Sequence, residues 1–171
     1  MKNILTFILA AVLMSISVTA LPQKALKLGH VDINELMSAL PQRDSAAAIL
    51  DKESKELQST YEEMTVEYNK LYDDYEKGLP KYSDLIKKTK ETELMDKQKR
   101  LQEFEQNATS TLQKRNTELL QPILDKILKA VEKVATDSAF TYILDVSKGS
   151  VVYSSKESRN MNPLVLKILK P

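Results

Sequence analysis

From Ala47 to Tyr75 the apolar positions fall on one seam: Ala47, Leu50, Ser54, Leu57, Tyr61, Met64, Tyr68, Leu71 and Tyr75, in alternating steps of three and four residues. That spacing is a coiled-coil stripe, with a small or polar residue only at Ala47 and Ser54. It stops at Gly78-Leu79-Pro80, where glycine can take a left-handed cap and proline cannot continue the preceding helix. A second long helical pattern follows, so the chain is predicted to fold back as a hairpin. The outgoing arm runs from about Asp44 to Lys77 and the return helix from Pro80 or Ser83 to Thr136. At ~1.5 Å per residue these are roughly 50 Å and 80 Å long. So narrow a seam gives the hairpin no globular core of its own.

The return helix changes character along its length. Leu85, Ile86, Leu94, Met95, Leu101, Phe104 and Ala108 are sparse, whereas Leu119, Leu120, Ile123, Leu124, Ile127, Leu128, Val131, Val134 and Ala135 form a broad stripe that can pack on more than one neighbour. Pro122, at the transition, either bends this helix or divides it in two.

Different periods flank the arms. Lys27 to Ile33 reads as a strand, with Leu28 and His30 opposite Val31 and Ile33. Asp32, with Glu35 three residues on, can cap a short helix through Ala39 that Pro41 ends. Beyond Asp137 the pattern alternates, Phe140, Tyr142, Leu144 and Val146 on one face and Thr141, Ile143 and Asp145 on the other. Lys148-Gly149 offers a turn into a second strand, Val151 to Ser154, completing a hairpin. Asn162 and Pro163 suit the cap and first turn of a closing helix carrying Leu164, Val165, Ile168 and Leu169.

The predicted fold is therefore mainly α with a small β body. A long antiparallel coiled-coil arm is inserted between an N-terminal strand and a C-terminal β-hairpin plus short helix. Residues 21–43 and 119–171 make the body, and 44–118 the arm, with its tip near 78–83. Three short strands and two short helices are a meagre core. An obligate oligomer is expected, its shared body drawing on Val31, Ile33, Ile127, Val131, Tyr142, Leu144, Val146 and Val152.

Composition agrees: 42% hydrophobic, 29% charged and three glycines favour long helices over a compact sheet protein. Residues 1–20 stand apart, Lys2 preceding an apolar run from Ile4 to Val18 and the small-residue ending Val18-Thr19-Ala20, the pattern of a secretory signal cleaved after Ala20. An uncleaved anchor is the alternative, but the run is shorter than the roughly 20 residues of a spanning helix. With no cysteine there is neither a disulfide framework nor a lipid-modified cysteine, so a soluble exported chain is expected.

The net charge is +1, and the leader carries one lysine and no acid, so the remainder is neutral. Neutrality argues against nucleic-acid binding by general electrostatics. Enzymatic chemistry finds little footing. His30 is the sole histidine and lies in a predicted strand. Glycine-rich phosphate loops and metal-ligand spacings are missing, and Asp73-Asp74 and Glu62-Glu63 diverge on a helix and share no proton. No catalytic residue, cofactor or metal is predicted.

The opening Lys27-Leu28-Gly29-His30-Val31-Asp32, the charged hairpin, the run Leu119 to Val134, the stretch Tyr142-Ile143-Leu144-Asp145-Val146 followed by Val151-Val152-Tyr153-Ser154-Ser155, and a short last helix together resemble the Skp/OmpH family of periplasmic chaperones. The resemblance spans essentially the whole chain after the leader. It implies a homotrimer whose strands form a central body and whose arms enclose a cavity. It also implies a periplasmic holdase that keeps unfolded outer-membrane proteins from aggregating, without nucleotide. This chain is neutral where the best-known members are strongly basic.

A holder must cover exposed apolar chain weakly at many points. Tyr61, Met64, Tyr68 and Tyr75 are best accounted for as seam residues. Tyr72, Tyr82 and Met95 are the candidates to touch client, since tyrosine and methionine adapt to varied apolar shapes. Lys81, Lys87, Lys88 and Lys90 cluster at the tip, suited to anionic lipid headgroups or acidic client segments, although solvated lysines are the plainer account. The competing function is a structural or docking coiled coil of the cell envelope.

Overall fold

The computed structural model describes residues 26–155 and 157–170. The leader expected at 1–20 lies outside them. In chain order come β1 (Leu28–Val31), α1 (Ile33–Ser38), α2 (Pro41–Gly78), a 3₁₀ turn (Leu79–Lys81), α3 (Asp84–Asp137), β2 (Tyr142–Asp145), β3 (Arg159–Asn160) and α4 (Asn162–Leu169).

Local chemistry accounts for most boundaries. The Asp32 side chain accepts a hydrogen bond from Glu35 N at 3.0 Å and opens α1, which places Ile33 in this helix instead of the expected strand. Pro41 does not simply end α1: it is the first residue of α2, where its missing N–H costs nothing, and the chain breaks at Ala39-Leu40. Ser83, with its side chain 3.5 Å from Ile86 N, starts α3. Pro122 sits inside α3 on its exposed side, so the 54-residue helix runs on as one element and the lost hydrogen bond faces water. With 38 and 54 residues, α2 and α3 are about 57 Å and 81 Å long.

Gly78 does not adopt the left-handed cap expected of it, since its φ is −86°. The Tyr82 ring lies against it, and a Cβ there would come 2.0 Å from Tyr82 Cζ. Its need is for space.

The three strands order as β2-β1-β3, and both neighbours run parallel to β1. The expected C-terminal hairpin is therefore corrected. After β2 the chain turns at Gly149 (φ +70°), passes through Val151–Ser155 without joining a strand, and returns on the far side of β1. Backbone and side-chain bonds hold that edge: His30 Nδ1 lies 2.8 Å from Ser158 Oγ, His30 O accepts from Met161 N at 2.9 Å, and Asn160 Oδ1 accepts from Asn162 N at 2.9 Å. One face of the sheet supplies Val31 and Ile143 to a core completed by Leu36, Leu40, Ala46, Ile123, Ile127, Ala130, Val134, Met161, Val165 and Leu169.

Candidate binding surfaces

The arms are held by thin contacts. Along the expected seam Tyr75 is buried, Leu50, Ser54, Leu57, Met64, Tyr68 and Leu71 are half-buried, and Tyr61 is slightly more open. Ala47 is exposed, and its neighbour Ala46 takes the buried place where α2 enters the body. On α3 no residue between Leu94 and Ile123 is buried. Tyr61 stacks on Phe104 at 6.5 Å, and the ion pairs Glu67–Lys97 (2.7 Å) and Glu53–Arg115 (2.9 Å) bridge the two helices. The Lys97 hydrogen bond, then its charge, holds the Glu67 carboxyl below its ordinary value. Such exposed pairs fix register more than they stabilise.

The seam is incomplete at mid-arm. Ser54 faces Ala108, and the half-buried positions of α3 step by four from Phe104 to Ala108 and by four again to Leu112, a change of phase that loosens the coil. The result is a side-opening hollow of about 220 Å³ lined by Ser54, Leu57, Tyr61, Phe104, Ala108 and Leu112. The tip is firmer. Tyr75 Oη donates to Glu91 Oε1 at 2.7 Å, and that bond, then burial, raises the Tyr75 hydroxyl pKa above the usual tyrosine value. Tyr82 tilts against Tyr75 at 6.3 Å and donates to Asp74 O at 3.3 Å.

These contacts sort the predicted client residues. Tyr82 is half-buried as a tip staple, whereas Tyr72 is exposed beside Tyr68 and Met95 is exposed on α3. Lys81 and Lys88 are exposed and Lys87 half-buried. Lys90 is paired with Glu93 at 3.0 Å, a bond that raises the lysine pKa, so it is not a free member of the cluster. Ile49 and Val66, which no element of the sequence pattern singles out, and Leu85 and Ile86, among the sparse apolar positions of the return helix, are all exposed. Apolar residues off the three-four seam are the signal that finds them.

The body has two faces. Of the eight residues assigned to a shared body, Val31 and Ile127 are buried within this chain, Ile33 and Val131 pack on the same core, and Val146 is half-buried. Tyr142, Leu144 and Val152 point away. In register beside β1, Leu28 pairs with Tyr142 and His30 with Leu144. Leu28, Tyr142 and Leu144 are 52%, 59% and 43% exposed, and Val152 and Tyr153 in the following loop are 97% and 80% exposed. A parallel sheet ordinarily has both faces covered.

Asn162, expected as a helix cap, is instead the first residue of α4 and is 1% exposed. Its Oδ1 accepts from Asp32 N at 3.0 Å, and its Nδ2 donates to Glu35 Oε2 at 2.6 Å. This amide ties the end of the chain to its beginning.

No helix among the described residues is long and apolar enough to cross a membrane. The model of the family described as outer membrane protein (OmpH-like) matches residues 27–169. The chaperone protein Skp of Pectobacterium atrosepticum is 30% identical over 148 residues, covering 83% of this chain and 86% of that protein. A crystal structure of a putative OmpH-like outer membrane chaperone from Caulobacter crescentus superposes with a TM-score of 0.70 at 9% identity, covering 84% of this chain and 83% of that one. The arm-and-body fold is thus shared, and the chain belongs to the OmpH-like family.

Proposed function

We propose that this protein is a nucleotide-independent holdase of the periplasm. Three copies join through their bodies, and unfolded outer-membrane proteins are held between the arms until insertion. Family membership supports a chaperone, not an enzyme. The observation that carries the holding role is the build of the arms: two helices with scattered exposed apolar side chains, Ile49, Val66, Tyr72, Leu85, Ile86 and Met95, set among charges and not joined to any core. Each such contact is weak, and many acting together hold a chain while leaving release fast.

The open sheet face supports assembly. Leu28, Tyr142 and Leu144 need cover, and sister copies are the occupant that a sheet of three short strands most needs. Val151–Ser155, β-prone and unpaired within the chain, is the segment suited to join a neighbour's sheet.

The test is aggregation of a β-barrel protein diluted from urea, followed by turbidity. Stoichiometric trimer should suppress it, and a variant with residues 46–115 replaced by a short linker should assemble but not suppress. Unsuppressed turbidity with the intact protein would favour an envelope rod.

A further inference from the structure

We propose that His30 makes assembly pH-sensitive, weakening it as the pH falls from neutral through the range in which imidazoles gain a proton. This rests on the proposal that sister copies cover the open sheet face.

His30 is the only histidine of the chain, and it lies on that face, half-buried, in register with Leu144 and following Leu28 by two residues. Ser158 Oγ engages its Nδ1 at 2.8 Å, which leaves Nε2 for whatever covers the face. Among the described residues no carboxylate forms an ion pair with it. On β2 the same face carries Leu144 and Tyr142, and on β3 it carries Asn160. Asp145 and Arg159 fall on the opposite face by strand alternation, Asp145 accepting from Ser147 N and Arg159 reaching over the Phe140 ring. The Lys27 ammonium bonds Ser138 O at the end of α3, and Asp32 is engaged as the cap of α1. From the loop, Glu157 adjoins Ser158 and is exposed to water.

A neutral ring can be covered by apolar side chains at small cost, whereas a protonated one would be desolvated beside leucines without a counter-charge. Joining copies must therefore shed one proton per chain once the separate chains are protonated. The sign follows: assembly is full-strength while the ring is neutral and falls as the pH drops and the separate chains take up the proton. The limiting loss is about tenfold per chain per pH unit, or about a thousandfold in the constant of a trimer.

Light-scattering mass across a dilution series, at pH 7.5 and pH 5.5, tests this on the wild-type chain and on His30→Gln. This window stays above the usual carboxylate range, near about 4. The wild type should dissociate at least tenfold more readily at the lower pH, and His30→Gln should show no such difference. A wild type indifferent to pH, or a variant as sensitive as the wild type, overturns the inference while leaving assembly intact. A chain that is single at pH 7.5 at every concentration overturns both. Should His30→Gln not assemble at pH 7.5, NMR on the wild type decides: its one pair of imidazole signals should titrate at lower pH when assembled than when dilute, and equal midpoints overturn the inference.

Discussion

Two residues show how the body is closed. Replacing Asn162 with leucine keeps its bulk but strands the Asp32 N–H and removes the donor to Glu35, so the cost should be about 1–3 kcal/mol by urea unfolding at fixed protein concentration. Ala139 carries φ +52° one residue beyond the cap of α3, where Phe140 N bonds Ala135 O at 2.9 Å and Ala139 N bonds Thr136 O at 3.2 Å. Those two bonds form the helix ending that usually employs glycine. Ala139→Gly should therefore stabilise by about 1 kcal/mol in the same assay. Neither role was legible in the sequence. Asn162 before a proline has the look of a cap, and only the tertiary approach of β1 shows the amide turned inward. Gly78 misled in a similar way, because its space is taken by Tyr82, four residues on.

At the scale of elements, the seam of α2 was legible because a three-four spacing survives any arrangement of partners. Its weak point, Ser54, was also visible, but the matching Ala108 and the change of phase after it emerge only when the helices lie together. Filling the hollow with Ala108→Leu should raise arm stability by about 1 kcal/mol and slow amide exchange around residues 54–61. A clash, seen as faster exchange there, would mean the hollow cannot take the added side chain. The tip is testable by alkali. Because Glu91 holds the Tyr75 hydroxyl protonated, the stability from this bond is full below the ordinary tyrosine value of 10.0 and is lost as the pH rises through the higher folded value. Ultraviolet titration should show one of the seven tyrosines ionising late, and Tyr75→Phe should remove that late step. The Glu67–Lys97 pair behaves oppositely. Its contribution stands above the ordinary glutamate value of 4.5 and fades as acid lowers the pH through the depressed one.

For the whole molecule, the arm-between-ends plan was legible because helical and alternating periods are distinct and the pattern changes from one to the other on either side of the arm. Strand direction was not. Val151 to Ser154 carries a strand's residues, yet pairing is settled by Ser158, Asn160 and Met161, whose bonds place β3 beside β1. The resulting parallel sheet leaves Leu28, Tyr142 and Leu144 uncovered. An arm that holds and a body that assembles both follow if copies of the chain cover that face. The most direct measurement is the light-scattering mass in solution, at neutral pH and micromolar concentration, of the chain lacking residues 1–20. Three times the chain mass is expected, and Leu144→Lys should lower it toward one. A single-chain mass for the unaltered protein would contradict the account.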